Sequence, residues 1–432
     1  MQRNDGNVNR KRETNKRKKN HKRLRLFIIC VEVFCLVLAV GLGFVFFKVD
    51  EQSRITKRLE QAGVTAELLQ GTNVSEAAQN HNMGDTSRYG TILQDEELCK
   101  ERHIYAKDTI SPDEIVLAFA GDISFADGYT NMNSLESRSD GIRGCFDEPL
   151  LTVMENADIF MVNNEFPYTS RGTPTPDKTF TFRSKPENVK YLYDMGVDIV
   201  SIANNHVYDY GKTSLLDTLT TLQDAAMPYG GAGENLEEAV KPVYFIANDT
   251  KIAYVCATQI ERLDYPDTVG AKENEPGVFR CWYDNRILEV IQEAKENSDY
   301  VIAYIHWGTE MQTTPDWAQL QQATELQEAG ADLIIGDHPH CLQQISYIED
   351  TPIIYSLGNF WFNSKTQDTG ILEVVIDTST SANTKSVRFI PALQSNCKTT
   401  LLQDAEKQRV LAYMQSLSPD IVLDGDGYAM KK

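Results

Sequence analysis

The chain has 432 residues, 41% hydrophobic and 24% charged, enough for about two to three average domains or one large domain with accessories. Its net charge of −20 is unevenly distributed, because residues 1–25 carry +9 and residues 48–432 carry −28. A region this acidic repels nucleic acid, whose binding depends on neutralising phosphates, so we expect no nucleic-acid partner.

The first predicted element is a transmembrane helix at residues 26–47. This apolar run of 22 residues contains one charged side chain, Glu32, and is long enough to cross a hydrocarbon core of about 30 Å. A cleaved signal peptide is the alternative, but its apolar region would cover only about 7–15 residues. Basic residues collect on the cytoplasmic side of a membrane span. We therefore expect a single-pass protein of the cell membrane, with residues 1–25 as a basic cytoplasmic tail and the main domain extracellular.

Residues 48–111 are polar and of mixed pattern, and we interpret them as a stalk. Six of the eight cysteines follow the predicted membrane span: Cys99, Cys145, Cys256, Cys281, Cys341 and Cys397. Outside the cytosol they could form disulfides, but the sequence does not choose between the pairings. No CxxC spacing is present, so a zinc knuckle is not predicted.

Residues 112–397 alternate short apolar runs with helical segments, which predicts one α/β domain. Strands are predicted at residues 115–120, 157–162, 197–203, 243–247, 251–257, 300–305, 333–335, 353–355, 371–376 and 387–390. Helices are predicted at residues 148–156, 186–195, 213–226, 284–297 and 316–329, the last of them ended by Gly330. This order favours a layered domain with a mixed sheet. Residues 398–432 are interpreted as a C-terminal tail that contains a helix at 403–417.

Polar side chains that can bind metal follow six of these strands. They are Asp122, Asn163 with Asn164 and Glu165, Asn204 with Asn205 and His206, His306, His338 with His340, and Asn359. Strand ends of a parallel or mixed sheet meet at one edge, so we expect these side chains to converge. Such oxygen and nitrogen donors suit Mn²⁺, Fe²⁺, Zn²⁺ or Mg²⁺, and one or two ions would activate a water. The alternatives are structural hydrogen bonds for a single histidine and a turn for Asn204-Asn205.

The motifs at these strand ends resemble those of the CapA family, bacterial proteins of capsule and poly-γ-glutamate biosynthesis. The motifs are Gly121-Asp122, Asn164-Glu165, Asn204-Asn205-His206 with Asp209-Tyr210-Gly211, His306-Trp307-Gly308-Thr309-Glu310, Gly336-Asp337-His338-Pro339-His340 and Tyr355-Ser356-Leu357-Gly358-Asn359-Phe360. They follow the family's order over residues 112–395. The resemblance implies the fold of calcineurin-like metallophosphatases, a four-layer αββα sandwich.

The resemblance also implies roles for single residues. It places metal ligands at Asp122, Glu165, Asn205, His306, His338 and His340. Asn205 would bridge toward the metal and His206 would act as a general acid, which makes both candidate catalytic residues. Two positions depart from the phosphatase pattern, and both affect ligands of one metal. Ser124 stands where those enzymes usually have a histidine, and Asn164-Glu165 replaces an aspartate.

Arg183 and Asn359 are the candidates for substrate binding. Arg183 would hold an anionic group, with a surface salt bridge as the equal alternative, and Asn359 ends a strand beside the expected site. Asp337 is assigned no role, and Trp307 is interpreted as core packing.

These observations favour a membrane-anchored, extracytoplasmic CapA-like protein in capsule or poly-γ-glutamate biosynthesis or export. We expect a metal-dependent hydrolase or transferase whose partners are an anionic polymer or its synthase complex. The alternatives are a non-catalytic subunit of such a complex that keeps the fold, or an amide hydrolase acting on γ-glutamyl links. Because residues 48–432 are so acidic, binding of a polyanion requires metal or a local basic groove.

Overall fold

The computed structural model describes residues 87–260, 268–282, 285–379 and 381–432. The predicted cytoplasmic tail, the predicted transmembrane helix at 26–47 and the first part of the predicted stalk lie outside these residues. Among the residues that are described, no helix has both the length and the apolar character needed to cross a membrane.

The strands of the described residues belong to two large sheets and two small ones. In chain order they are β1 (Ile104–Ala106), β2 (Glu114–Ile123), β3 (Ile159–Asn164), β4 (Ile199–Ser201), β5 (Tyr229–Gly230), β6 (Ala232–Gly233), β7 (Val243–Ala247), β8 (Thr250–Thr258), β9 (Gly277–Val278), β10 (Tyr300–His306), β11 (Leu333–Asp337), β12 (Ile345–Ile348), β13 (Thr351–Ile354), β14 (Asn359–Trp361), β15 (Gln367–Asp377), β16 (Asn383–Ser395), β17 (Lys398–Leu401), β18 (Ile421–Leu423) and β19 (Ala429–Lys431).

Two helices precede the first strand, and the others lie between later strands. The helices are α1 (Gly90–Leu93), α2 (Glu96–Glu101), α3 (Thr130–Glu136), α4 (Glu148–Glu155), α5 (Lys190–Asp194), α6 (Lys212–Asp224), α7 (Leu236–Ala239), α8 (Arg286–Asn297), α9 (Trp317–Ala329) and α10 (Asp404–Leu417), with 3-10 segments at Ile142–Cys145 and Pro186–Val189. The ends of α9 show how local sequence sets a boundary. Asp316 and Gln319 form a reciprocal capping box at its start, and Gly330 ends it with a left-handed φ of 114°, as predicted.

Both large sheets are mixed. The first has the order β1-β7-β8-β10-β11-β13-β12, and the second has the order β17-β16-β15-β2-β3-β4-β5 with β14 added beside β2. The strands β8, β10 and β11 run parallel and are buried along their whole length. Continuous apolar runs of this kind are typical of parallel strands, whose two faces are both covered.

Three apolar cores define four layers. One core fills the space between the two sheets and contains Phe119, Tyr254 and Tyr304. A second lies between the outer face of the second sheet and helices α3, α4 and α6, and includes Leu215. A third lies between the outer face of the first sheet and helices α8 and α9, and includes Ile291. The prediction of a layered α/β domain with mixed sheets is therefore confirmed, with the layers in the order αββα.

The folded region is wider than the predicted 112–397. At its start, β1 pairs with β7, although the sequence suggested a stalk up to residue 111. At its end, β17 extends the second sheet, and Val410, Leu411 and Met414 of α10 are buried in the core between the sheets. The predicted tail at 398–432 is thus part of the domain in this structure. Strands of three or four residues are too short to show an alternation in the sequence, which explains the difference.

A close approach of two backbones holds β14 against β2. The N–H of Asp122 donates to the carbonyl oxygen of Gly358 at 3.0 Å. A Cβ atom on Gly121 would lie 1.8 Å from the same oxygen, so only glycine fits there. This contact places Asn359 opposite Asp122 in the β14–β2 pair.

We expect Gly121→Ala to lower the free energy of unfolding by about 3 kcal/mol, because the added methyl group clashes with rigid backbone. Gly425→Ala is the matched control, since the nearest atom to its added Cβ is 4.0 Å away and belongs to the flexible Gln408 side chain. Urea titration followed by fluorescence measures both. Equal stability of the two variants would show that β14 tolerates displacement from β2.

Candidate metal centre

The two large sheets bring their carboxyl edges together at one buried cluster of polar side chains. The second sheet contributes residues at or after β2, β3, β4 and β14, and the first sheet contributes residues at or after β10 and β11. Strand register fixes neighbours directly: His306 pairs with Asp337, and Asp122 pairs with Asn163. The convergence expected from the six strand ends is therefore found. The cluster contains Asp122, Asn163, Glu165, Asn205, His206, His306, Asp337, His338, His340 and Asn359.

Glu165 lies at the centre of this cluster. Its Oε1 atom is 3.8 Å from the Nε2 atoms of His206, His306 and His340 alike. The side chain is fully buried, and Oε1 has no hydrogen-bond partner among the described residues. Leaving a buried carboxylate oxygen unpaired is costly. An unpaired, buried carboxylate oxygen surrounded by imidazole nitrogens fits a divalent cation.

His306 is held from both sides of its ring. Its Nδ1 lies 2.9 Å from Oδ1 of Asp337, and its Nε2 lies 2.8 Å from Oδ1 of Asn205 and 3.0 Å from Nδ1 of His338. A proton on Nδ1, donated to Asp337, leaves the Nε2 lone pair directed into the cluster. Carboxylates commonly orient metal-binding histidines in this way.

His338 and His340 reach the cluster from a strained backbone. Their φ angles are 92° and 54°, in the left-handed region that non-glycine residues rarely adopt. His340 Nδ1 lies 2.9 Å from Oδ2 of Asp122 and 3.0 Å from Oδ1 of Asn359. Strain of this kind collects at functional sites, where the surrounding structure enforces it. The turn between the two histidines therefore fixes the direction of both rings.

Two groups of three side chains have ligand atoms close enough to hold a metal ion. One group is Glu165, His338 and His340, and the other is Asp122, His306 and Asp337. Within each group the ligand atoms lie within 4.8 Å of one another. Asp337 supplies a second unpaired oxygen, Oδ2, which is also buried. The donor set and the unpaired oxygens thus fit one or two divalent cations.

Burial favours the neutral form of most titratable groups in the cluster, and the hydrogen-bonded pair Asp122 and His340 is the exception, with the pKa of His340 raised. Burial raises the pKa of Glu165 and of Asp337 well above the usual range, and the nearby Asp122 carboxylate adds to both shifts. Burial also lowers the pKa of His306 to about 3 and that of His338 well below its usual value. The pKa of Asp122 is lowered, because its hydrogen bond to His340 and the charges of His340 and His306 outweigh burial. The neutral imidazole is the form that binds metal.

The imidazole of His206 is held by contacts with Asp209 and Phe182. Its Nδ1 lies 2.7 Å from Oδ2 of Asp209, which also accepts the N–H of Phe182 at 2.6 Å. Lys178 donates from Nζ to Oδ1 of Asp209 at 2.6 Å, and the Phe182 ring lies 4.3 Å from the imidazole. Burial lowers the pKa of His206. These contacts hold its Nε2 toward Glu165.

Of the two asparagines before His206, Asn204 stabilises the turn and Asn205 belongs to the cluster. Asn204 Oδ1 accepts the N–H groups of His206 and Val207 at 3.1 and 3.0 Å, so the turn interpretation holds for Asn204. Asn205 instead reaches His306. Trp307 is fully buried and stacks on Tyr355, as core packing requires.

Of the remaining candidate residues, only Asn359 belongs to the cluster. Asn359 lies in the cluster against His340, whereas the Arg183 guanidinium lies 4.6 Å from the centre of the Tyr210 ring, which is not a cluster residue. Ser124 is buried next to β2 and belongs to neither metal-binding group. The assignment of metal, catalytic and substrate-binding roles remains a prediction.

Three residues of the site stood in the motifs or strand ends noted in the sequence but received no role there. Asp337 was assigned no role, yet it orients His306. Asn163 donates to Asp122 at 2.9 Å, and Asp209 holds His206. The alternation of side chains along a strand was the available signal for Asn163, because Asn163 and Glu165 project to the same face of β3 while Asn164 projects to the other.

Comparison with known sequences agrees with this geometry. The family of the bacterial capsule synthesis protein PGA_cap matches residues 116–364, a range that contains the whole cluster. The PGA biosynthesis protein CapA of Bacillus subtilis is 33% identical over 271 residues, which cover 61% of this chain and 68% of that protein. The capsule biosynthesis protein CapA of Bacillus anthracis is 31% identical over 230 residues, with coverages of 51% and 55%. The probable polyglutamine synthesis accessory protein of Mycobacterium tuberculosis is 27% identical over 218 residues, with coverages of 48% and 57%.

Two solved structures show partial similarity to this chain. The calcineurin-like phosphoesterase YfkN from Bacillus subtilis has a TM-score of 0.40 and 16% identity, covering 66% of this chain and 91% of that one. A putative 5'-nucleotidase from Staphylococcus aureus has a TM-score of 0.37 and 14% identity, covering 70% and 58%. Both scores lie below 0.5, and membership of a family is decided by the sequence matches.

We expect Glu165→Gln to abolish metal binding while preserving the fold, because an uncharged amide resembles the protonated carboxyl and relieves repulsion from Asp122. Metal content of the purified chain, measured by inductively coupled plasma mass spectrometry, should fall at least about tenfold. Chelation should lower the melting temperature of the unchanged chain but not of the variant, since a ligand stabilises only the state that binds it. Glu328→Gln, at an exposed position of α9, is the control and should retain metal. Equal metal content in the two variants would contradict the assignment of Glu165.

Proposed function

The chain belongs to the family of the bacterial capsule synthesis protein PGA_cap, and on that basis we propose that it takes part in making or exporting an anionic surface polymer. Its relatives in two Bacillus species are named for capsule and PGA biosynthesis, and the mycobacterial relative is named an accessory protein of polyglutamine synthesis. The chain spans 68% of the first relative and little more than half of the other two. The polymer class and the synthase complex as partner are therefore proposals for this chain.

The proposed reaction type is metal-dependent hydrolysis or group transfer, and the unpaired Oε1 of Glu165 carries this proposal. That atom lies at one distance, 3.8 Å, from three imidazole nitrogens. The residues that would hold the metal are Glu165, His338 and His340 in one group and Asp122, His306 and Asp337 in the other. A bound divalent ion supplies Lewis acidity and a water of lowered pKa.

The chain's own residues would position and protonate the substrate. His206 is fixed by Asp209 so that Nε2 faces the cluster, which is the arrangement that a general acid at the leaving group requires. Asn205 and Asn359 present side-chain oxygens beside His306 and His340. Arg183 is pre-oriented by its stacking on Tyr210. A planar guanidinium suits a carboxylate or phosphate of the substrate.

The charge of the chain limits how an anionic polymer can approach. Residues 48–432 carry −28, so the average surface repels a polyanion. The cluster border differs from the average, because Lys178 donates to Asp209 beside His206, and Arg183 follows Phe182, whose ring contacts His206. Local attraction by these cations and by bound metal would offset the repulsion over about one Debye length, roughly 8 Å at physiological salt.

Ser124 supports a second candidate function, a non-catalytic subunit of a polymer synthase or export complex. Its hydroxyl is buried at a position where the related phosphatases usually have a histidine ligand. Loss of one ligand would leave a centre that binds a single ion for structural purposes. The two candidate functions differ in whether His206 is required.

We expect the purified chain to hydrolyse phosphoesters in the presence of Mn²⁺, and His206→Ala to lower kcat by about 10²–10⁴-fold without loss of metal. His103→Ala is the control, since His103 lies outside the cluster near Tyr229. In the bacterium that encodes the chain, the His206 variant should also lose surface polymer. A chain without turnover whose His206→Ala and His338→Ala variants still support the polymer would establish the non-catalytic candidate instead.

We further propose that residues 26–47 anchor the chain in the cell membrane with the main domain outside. Protease added to intact cells should then digest the main domain, while a cytoplasmic marker protein stays intact. Deletion of residues 26–47 together with the basic tail should remove the chain from the membrane fraction. Protection of the main domain until the cells are lysed would contradict this location.

A further inference from the structure

Two cysteines far apart in the sequence meet on the outer side of the second sheet. Cys145 ends the 3-10 segment Ile142–Cys145, and Cys397 lies in the turn between β16 and β17. Phe146, the next residue after Cys145, forms a parallel bridge with Thr399. Paired backbones lie about 4.8 Å apart, and disulfides span Cα separations of about 4.4–6.8 Å. The bridge therefore sets Cys145 and Cys397 on neighbouring segments, one residue out of register with each other, which is a spacing that a disulfide can span.

The two side chains share one set of neighbours. Both are buried, Cys145 at 0% and Cys397 at 3% exposure. Arg138 donates to the carbonyl oxygen of Gly144 at 3.0 Å, and its charge acts on both thiols. Burial raises the pKa of Cys145 to about 11, and the adjacent Cys397 contributes to the increase. Both thiols are free in this structure, and the charge of Arg138 acts on each of them.

The backbone at Cys397 is a second, independent observation. Asn396 and Cys397 have φ angles of 50° and 61°, so both residues of this two-residue turn are left-handed. Asparagine followed by glycine is the preferred sequence for such a turn, because glycine adopts positive φ without strain. A cysteine in the glycine position, with its side chain buried, indicates that the side chain itself is needed there.

We propose that Cys145 and Cys397 form a disulfide that joins the 3-10 segment to the β16–β17 turn. The two thiols lose two protons and two electrons as the S–S bond forms. A disulfide donor of the oxidised glutathione type accepts them, and its own S–S bond breaks to give two thiols. The inference does not depend on the proposed function, because it rests only on the packing around these two residues.

The disulfide would support the strand that carries Asn359. Trp361 of β14 donates from Nε1 to the carbonyl oxygen of Cys397 at 3.0 Å. The rings of Phe146 and Phe360 stack with centres 5.6 Å apart. Asn359, which belongs to β14 as well, contacts His340. A covalent bond behind β14 therefore restrains the wall of the metal centre formed by Asn359.

Peptide mapping of the full chain tests the proposal. The chain is unfolded, refolded with a mixture of oxidised and reduced glutathione, alkylated, digested without reductant and analysed by mass spectrometry. We expect one cross-linked peptide joining Cys145 to Cys397, which disappears after reduction. Alkylation of both thiols, or a cross-link of either one to another cysteine, would overturn the proposal. This measurement uses the unchanged sequence, so it does not depend on whether any variant folds.

Variants provide the second measurement. Cys145→Ser and Cys397→Ser should each release the other thiol for alkylation and lower the melting temperature of the oxidised chain by roughly 5 °C. Reduction before unfolding should remove this difference. Cys256→Ser is the control, because Cys256 is a buried thiol of the core between the sheets and should leave the cross-link intact. A Cys145→Ser variant as stable as the oxidised unchanged chain would also count against the disulfide.

Discussion

Three carboxylates with no exposure to solvent, Asp122, Glu165 and Asp337, are the constraint on which the site depends. Buried like charges repel each other and lose their hydration, so each must be neutralised or paired. Asp122 is paired with His340, and Oδ1 of Asp337 with His306, whereas Oε1 of Glu165 and Oδ2 of Asp337 have no partner among the described residues. This incomplete pairing is the strongest physical sign of a cation site in the described residues, because one or two bound cations would pair both oxygens.

The fold supplies the rigidity that such a centre requires. Its side chains come from the ends of strands in two sheets whose facing surfaces form one continuous apolar core. The glycine contact between Gly121 and Gly358 holds β14 against β2, so Asn359 and Asp122 both reach His340. On the opposite side, Asp209 is buried between His206 and Lys178. Stability and function are thus coupled, since a shift of either sheet edge would separate the ligands.

The elements that the sequence predicted well are the long apolar runs. The runs that became β8, β10 and β11 are buried on both faces, and a continuous apolar run can be recognised without knowing its partner. The short strands β1 and β17 were assigned to a stalk and a tail, because three or four residues carry too little pattern. Helix α10 was predicted as a helix, but its packing between the sheets depends on residues far away in the chain.

The same distinction between local sequence pattern and long-range packing applies to the residues of the site. The sequence by itself determined the candidate ligand types and their order along the chain, because histidines and carboxylates at strand ends are visible one strand at a time. Only the tertiary structure decided which of them meet. Asp337 orients His306 through a register between two strands, and Glu165 faces three imidazoles from three separate segments. Distances between residues more than a hundred positions apart depend on how the sheets pack, and no local pattern contains that information.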